Sequence, residues 1–170
     1  MPLYLLRHEE REYNTSFDTS LTEEGKCRAE QLIPRMVCRL GIETIYCSPF
    51  LRTLQTIAPY CRSHQRTVNV DWSLAEEHPT QAYCWSEFDS IINRKYRSLA
   101  PHNPDLDDMT FDELKKQVYR FLKTLNSQQN ILLVTHMPVI NAVLSLRGFP
   151  VDMYTPHEAG GIVNPSTFCL

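Results

Sequence analysis

Four short apolar segments, separated by stretches with helical patterning, constrain the fold of this chain more than any other feature. Apolar runs of four or five residues that end in polar residues are typical of strands buried on both faces. Strands that alternate with helices favour a mostly parallel sheet covered by helices on its two sides. We therefore predict an α/β fold, a three-layer αβα sandwich with a mostly parallel central sheet. The strand candidates are Leu3–Leu6, Thr44–Cys47, Thr67–Val70 and Ile131–Thr135.

Capping residues and prolines set the expected limits of the helices. The first is predicted from Glu23 to Leu40, with Thr22 as its N-cap and Gly41 as its stop. Pro34 lies inside this stretch and predicts a kink or a break, because proline lacks the backbone donor. Three further helices are predicted from similar patterns: Ser48-Pro49 as N-cap and first residue of a helix to about Cys61, Thr110-x-x-Glu113 opening one to about Asn126, and Met137-Pro138 beginning one to about Leu146.

The length of 170 residues predicts a single domain, residues 1–170, with a substantial core. The stretch 71–109 contains three prolines, both tryptophans and scattered acids. We interpret it as an insertion or lid with short helical pieces, for example Trp85–Arg97. The end of the chain, Gly160 to Leu170, is predicted to form a loop and a last edge strand.

Charge and cysteine content exclude several classes of protein. The net charge of −3 argues against a nucleic-acid partner, because such proteins carry a basic excess. No segment has the length of a membrane span, and the first apolar run ends at Arg7, too early for a secretory signal. The six cysteines are widely spaced and predict reduced thiols in a cytoplasmic protein. We find no Walker loop and no closely spaced histidine pair, and we expect neither a cofactor nor a metal ion.

Charged residues follow three of the predicted strands. Arg7 and His8 end the first strand, Arg52 comes shortly after the second, and His136 follows the fourth. The carboxyl ends of parallel strands lie at one edge of a sheet, where ligands bind. Arg52 is expected in the first turn of its helix, where side chains lean toward the N-terminus. Two histidines and two arginines beside two helix N-termini predict a phosphate pocket built without metal.

These residues lie within motifs that occur in one order along the chain: Arg7-His8-Glu9, Asn14, Asp18-x-x-Leu21-Thr22-x-x-Gly25, Ser48-Pro49-x-x-Arg52-x-x-Gln55-Thr56, Leu74-Ala75-Glu76 and Val134-Thr135-His136. In this order they resemble the motifs of the histidine phosphatase superfamily, the phosphoglycerate mutase-like proteins. The resemblance covers much of the chain. It implies the phosphoglycerate mutase-like fold and chemistry on phosphate esters.

The resemblance also implies a role for each central residue. His8 is expected to attack phosphorus as a neutral imidazole and to form a phosphohistidine. Arg7, Arg52 and His136 are expected to neutralise the phosphoryl oxygens, and the two guanidiniums give forked bonds that lysine could not. Asn14 lies where mutase-type members have a phosphate-contacting asparagine, although it is equally suited to stabilising a loop. The other four histidines are expected at the surface: His64, His78, His102 and His157.

Glu76 is expected to protonate the leaving oxygen and later to deprotonate the attacking water. A carboxylate near a bound phosphate should have a raised pKa, which suits the acid step. The neighbouring Glu77 is the alternative acid, and the Leu-x-Glu spacing favours Glu76.

The sequence departs from the family at three places. Glu9 replaces the usual glycine, so its side chain must turn away from the phosphate, and Met137-Pro138 replaces a common Gly-Gly. Mutase-type members tend to carry an arginine where this chain has Glu77, which favours hydrolysis. We predict a metal-independent phosphomonoesterase acting on a phosphorylated small molecule or phosphoprotein. The alternatives are a phosphoglycerate-type mutase and a phosphate-binding regulatory module with little turnover.

Overall fold

The computed structural model describes residues 2–13, 16–77, 85–100 and 109–166. Within these ranges five strands form one sheet in the order β3-β2-β4-β1-β5. Strands β1 to β4 are parallel to their neighbours, and β5 runs antiparallel to β1 at the edge. The strands are β1 (Leu3–Arg7), β2 (Thr44–Cys47), β3 (Asn69–Val70), β4 (Ile131–Thr135) and β5 (Ile162–Val163).

Helices cover both faces of the sheet and give the predicted αβα sandwich. They are α1 (Glu23–Gln31), α2 (Ile33–Val37), α3 (Leu51–Ser63), α4 (Phe111–Leu122) and α5 (Met137–Leu146). Apolar side chains of α1, α2 and α3 pack with Leu6 on one face of β1. Those of α4 and α5 pack with Leu3 and Leu5 on the other face. The alternation along β1 divides the core into these two layers.

The predicted strands are confirmed, with one shorter than expected. The ranges of β2 and β4 agree with the prediction, and the predicted edge strand near the end of the chain is β5. Strand β3 begins only at Asn69, because β2 offers it just Tyr46 and Cys47 as partners. Val68 instead forms an isolated bridge with Ile92.

The stretch predicted as one helix with a break is two helices followed by a 3₁₀ turn at Cys38–Leu40. The Thr22 hydroxyl caps α1 by accepting from the Gly25 N–H at 3.0 Å. Pro34 lies in the first turn of α2, where a missing backbone donor costs nothing. Gly41 ends the segment in the left-handed conformation at φ 59°.

Three predicted boundaries are wrong. Helix α3 begins at Leu51 with Phe50 as its N-cap, whereas Ser48 was predicted as the cap. The Ser48 hydroxyl is engaged by His136 instead. Helix α4 has the predicted capping box at Thr110 but ends at Leu122, before Asn126. The stretch 85–97 holds only a 3₁₀ turn, Ser86–Phe88, and α5 agrees with its prediction.

The register of the sheet brings three strand ends to one level. Arg7 pairs with Thr135 across β1 and β4, and Cys47 pairs with Val134 across β2 and β4. The residues that follow β1 and β2 continue this alignment. His8 N donates to the Thr135 carbonyl at 3.0 Å, and Ser48 N donates to the Val134 carbonyl at 2.9 Å. Residues 78–84 and 101–108 of the predicted insertion lie outside the described residues, so the lid and the single domain stay predictions. In the described parts of the chain, no helix combines the length and apolar character that crossing a membrane requires.

Candidate active site

His8 lies at the carboxyl end of β1 with only 4% of its surface exposed. Its Nδ1 is 2.7 Å from the carbonyl oxygen of Glu9. A carbonyl can only accept, so Nδ1 carries the proton and Nε2 keeps its lone pair. Burial lowers the pKa of His8 well below its ordinary value, and the electrostatic interaction with the neighbouring His136 acts in the same direction. The imidazole is therefore neutral and has one nitrogen fixed as a nucleophile or base.

Arg52 lies in the first turn of α3, as predicted, and its side chain is buried. The guanidinium carbon sits 4.4 Å from the centre of the Phe50 ring, within the range of a cation–π contact. Its Nη1 donates to the carbonyl oxygen of Ser16 at 2.9 Å, and its Nη2 pairs with the carboxylate of Glu76. The aromatic ring and the carbonyl thus hold one planar cation beside His8.

His136 is the N-cap residue of α5 and is fully buried. Its Nε2 is 2.8 Å from the Ser48 hydroxyl, and its Nδ1 is 3.2 Å from Oε1 of Glu76. The His136 and His8 rings lie 5.3 Å apart, edge to face. Ser48 and Glu76 therefore fix the orientation of a second imidazole directly beside the first.

The pKa of Glu76 moves in the direction opposite to the expected one. Burial raises the pKa of its carboxyl, but His136 and Arg52 outweigh burial and hold the pKa well below its usual range. The expected raised pKa assumed a bound phosphate that competes for the same partners. Without that anion, the carboxylate is paired with Arg52, lies beside His136 and is ionised.

A 3₁₀ turn at Trp72–Leu74 carries Glu76 to this position. The Asp71 carboxylate caps the turn by accepting from Ser73 N at 2.8 Å, and it also accepts from Leu99 N at 3.0 Å. The Thr135 hydroxyl donates to the Leu74 carbonyl at 2.7 Å. The turn is thereby tied to the end of β4, next to His136.

Arg7 extends from β1 toward the loop that precedes β5. Its Nη1 donates to the carbonyl of His157, and the Gly160 N–H donates to the Arg7 carbonyl at 3.2 Å. His157 was expected at the surface but is half-buried, and its Nε2 lies 2.7 Å from Oδ1 of Asn141. The prediction failed because the contact depends on the return of the chain beside β1.

Glu9 is 1% exposed and its carboxylate is turned toward α1, where Oε2 lies 3.2 Å from Nε of Arg28. Burial raises the pKa of Glu9, and the charge of Arg28 opposes that effect. Gly160 leaves the room that this carboxylate occupies, since a Cβ there would lie 2.0 Å from Glu9 Oε1. The glutamate that replaces the expected glycine is thus accommodated by a glycine elsewhere.

A cavity of about 760 Å³ opens beside the Arg7–His8 pair. Buried Nε atoms of Arg7 and Arg52 make no hydrogen bond to any described residue, and Nδ1 of His136 has only its 3.2 Å contact with Glu76. Donors of this kind, held around a neutral imidazole, can bind the oxygens of an anion. Among the described residues no group of three or more potential ligands is placed to hold a metal ion. The cavity is lined by Arg7, His8, Glu9, Glu10, Arg11, Glu12, Tyr13 and Ala159.

Of the predicted site residues, His8, Arg52, Glu76 and His136 are brought together, and Arg7 adjoins His8. The side chain of Glu77 is exposed. Asn14 lies outside the described residues. The sequence reasoning missed three contributors: Ser48 was interpreted as a helix cap, and Arg28 and His157 carried no motif that could have identified them.

Comparison with known proteins gives one family across most of the chain. The model of the histidine phosphatase superfamily (branch 1) matches residues 3–160. A protein of Schizosaccharomyces pombe named as a probable phosphatase is 26% identical over 167 residues, covering 89% of this chain and 78% of that protein.

Solved structures agree on the fold. A mycobacterial glucosyl-3-phosphoglycerate phosphatase has a TM-score of 0.67 at 18% identity, with 95% of this chain and 88% of that chain covered. The ecdysone phosphate phosphatase of Bombix mori has a TM-score of 0.66 at 15% identity, with 95% and 87% covered.

Proposed function

The chain belongs to branch 1 of the histidine phosphatase superfamily and is a phosphatase of that superfamily, and we propose that it hydrolyses phosphate monoesters through a phosphohistidine on His8, without a metal ion. One observation carries the proposal. The hydrogen bond from His8 Nδ1 to the Glu9 carbonyl at 2.7 Å leaves a buried, neutral Nε2 as the free nucleophile. Such a nucleophile can attack the phosphorus of a phosphate ester that the surrounding cations hold in place.

In the first step, His8 Nε2 forms a bond to phosphorus while the bond from phosphorus to the ester oxygen breaks. Glu76 gives its proton to the leaving oxygen, which departs as the alcohol. In the second step, water attacks phosphorus, Glu76 takes the proton from that water, and the nitrogen–phosphorus bond breaks. His8 returns to its neutral form and inorganic phosphate is released.

Arg7 and Arg52 supply the charge that the transferring phosphoryl group requires, and His136 adds a hydrogen-bond donor beside them. Negative charge is spread over its three equatorial oxygens in the transition state, so fixed donors around them lower the barrier. Guanidiniums are permanently charged, and they donate in a planar fork that matches two oxygens. These cations take the place that a divalent metal ion has in other phosphoryl-transfer sites, which supports the metal-independent reaction.

Glu76 must be protonated before it can act as the acid. In the free protein its carboxylate pairs with Arg52 and lies 3.2 Å from His136. A phosphate dianion attracts Arg52 and competes for the contact with His136, and its own charge disfavours a second anion nearby. Binding of substrate therefore raises the pKa of Glu76 and lets it take up the proton that it later gives to the leaving group.

The described cysteines, Cys27, Cys38, Cys47 and Cys61, are free thiols, which supports the proposed location in the cytoplasm. The substrate is a phosphorylated small molecule or phosphoprotein, as the superfamily implies. The cavity beside His8 has a volume of about 760 Å³, which is in the range of pockets that bind small-molecule ligands.

A direct test is hydrolysis of an aryl phosphate by the wild type in the presence of a chelator. We expect full activity there, and a labelled, acid-labile phosphoenzyme that His8→Ala abolishes. His64→Ala, which removes an exposed histidine, is the matched control and should keep both. Activity that disappears with the chelator would contradict the metal-independent reaction, and a phosphoenzyme that survives in His8→Ala would contradict the nucleophile.

The wild-type protein also distinguishes hydrolysis from the two alternatives, a phosphoglycerate-type mutase and a phosphate-binding regulatory module. With a phosphoglycerate substrate, release of inorganic phosphate supports hydrolysis, whereas movement of the phosphate between hydroxyls indicates a mutase. An inactive wild type that nevertheless binds phosphate indicates a regulatory module.

A further inference from the structure

We propose that Arg28 is a positioning residue for phosphate binding: together with Glu9 it holds the 157–161 loop in the shape that seats the Arg7 guanidinium. The inference rests on the phosphate-binding role proposed for Arg7. Arg28 lies on α1, away from the three strand ends that carry the site. It is connected to that site by its contacts with Ala159 and Glu9 and by the bond from Arg7 to the His157 carbonyl.

The 157–161 loop is built onto the end of β1. Arg7 N donates to the Gly161 carbonyl at 3.1 Å, and Gly160 N donates to the carbonyls of both Arg7 and His8 at 3.2 Å. The Arg7 guanidinium donates through Nη1 to the His157 carbonyl. The direction of the Arg7 side chain therefore depends on where this loop places one carbonyl oxygen.

Arg28 connects this loop to α1 and to the residue after His8. Its Nη2 donates to the Ala159 carbonyl at 3.3 Å, and its Nε lies 3.2 Å from Glu9 Oε2. A weaker contact joins Nη2 to the exposed carboxylate of Glu158 at 3.8 Å. One guanidinium thus spans the loop and the segment that carries His8.

The Glu9 carboxylate makes this arrangement specific. It is almost fully buried, and a buried carboxylate requires a cation close by to offset its lost hydration. Gly160 lets it approach, because a Cβ at that position would overlap its Oε1. Arg28, Glu9 and Gly160 therefore fit only when the loop lies as observed.

The start of the loop is held independently. The His157 ring contacts Asn141 Oδ1 at 2.7 Å, and Asn141 Nδ2 donates to the Thr155 carbonyl at 2.8 Å. With α5 holding one end and Arg28 the other, the His157 carbonyl has a defined position. Release of the Arg28 end should misplace Arg7 without unfolding the sheet.

The experiment compares Arg28→Gln with Lys26→Gln. Lys26 is a partly exposed cation of the same helix, and among the described residues its ion pair is with Glu23 of that helix. Binding of inorganic phosphate is measured by calorimetry, and KM and kcat are measured with an aryl phosphate. We expect Arg28→Gln to weaken phosphate binding and raise KM on the order of 10-fold, the size typical of losing a group that orients a ligand-binding residue. kcat should change less, and Lys26→Gln should match the wild type. Arg28→Lys keeps the charge beside Glu9 and should lie between.

A double-mutant cycle with Arg7→Gln decides whether Arg28 acts through Arg7. In that background Arg28→Gln should add no further loss of phosphate affinity. Additive losses, or wild-type phosphate affinity in Arg28→Gln and Arg28→Lys, would overturn the proposal. Phosphate binding needs no turnover, so the inference is tested even if the wild type proves inactive, and inactivity would count against the proposed function alone.

Discussion

Glu76 has two partners in the free protein and a proposed role that requires it to leave them. We expect Glu76→Gln to lower kcat/KM by about 10²- to 10⁴-fold with an alkyl phosphate, whose leaving oxygen must be protonated as it departs. The loss in kcat/KM should be much smaller with a nitrophenyl phosphate, whose leaving group is stable as an anion. Values of kcat/KM, which report formation of the phosphoenzyme and not its hydrolysis, measure this difference across phosphate esters of graded leaving-group pKa.

Glu77→Gln is the matched control, because the neighbouring side chain is exposed. It should keep the wild-type dependence on the leaving group. If Glu77→Gln makes the rate depend more steeply on the leaving-group pKa and Glu76→Gln keeps the wild-type dependence, the acid is Glu77.

Gly160 combines a left-handed backbone at φ +69° with the close approach of Glu9. Gly160→Ala should cost about 1–2 kcal/mol for the backbone alone, and more because the buried Glu9 must give up its contact with Arg28. Adding Glu9→Gly should recover the second part only. Urea denaturation of the two variants measures both parts.

Gly148→Ala isolates the backbone effect, since Gly148 has φ +89° and nothing within 4 Å of the added Cβ. If Gly160→Ala destabilises no more than Gly148→Ala does, the contact with Glu9 carries no energetic weight.

Among the elements, the 3₁₀ turn that carries Glu76 depends on one buried carboxylate. Asp71 accepts from Ser73 N, from Leu99 N and from the hydroxyl of Tyr96. Asp71→Asn replaces one accepting oxygen by a donor, so at least one of these N–H groups loses its partner. We expect a loss of about 1–3 kcal/mol in the free energy of unfolding. We also expect a fall in kcat that exceeds the change in KM, because Glu76 is displaced.

Tyr96→Phe removes only the hydroxyl contact and leaves both backbone donors satisfied. It should therefore cost less stability and spare kcat. Equal effects of the two variants on kcat would show that the turn does not depend on the backbone bonds to Asp71.

Elements with a strong local signal were predictable. The limits of β4 follow from its buried apolar run and those of β2 from a short, mostly apolar segment, and the start of α4 follows from its capping box. The start of α3 was not, because Ser48 has the composition of a cap but its hydroxyl bonds to His136. The contact with His136, which is distant in sequence, determines that Ser48 does not cap the helix. The local sequence around Ser48 does not indicate that contact.

The candidate site divides in the same way. His8, Arg52 and His136 follow strand ends, so the parallel order of the strands was enough to bring them together. The contact of Glu9 with Arg28 and Gly160 joins three distant parts of the chain. It forms only because β5 returns antiparallel beside β1, and neither residue pattern nor spacing indicates that return.

For the whole molecule, folding changes how many protons the histidines hold. Burial lowers the pKa of His8 and of His136, and burial together with the charge of Arg7 lowers that of His157. Below the ordinary pKa of about 6.5, the unfolded chain therefore binds protons that the folded chain does not. Stability increases with pH wherever the unfolded state binds more protons, so it must fall as the pH drops through this range.

We expect the free energy of unfolding to decrease between about pH 7.5 and 5.5, with each buried histidine adding up to about 1.4 kcal/mol per pH unit below its unfolded pKa. Urea denaturation across this range measures the slope. His8→Gln should reduce the slope. A slope that is the same in His8→Gln as in the wild type would mean that His8 takes up its proton over the same pH range in the folded and unfolded states. That result would contradict the lowered pKa that keeps this buried imidazole neutral.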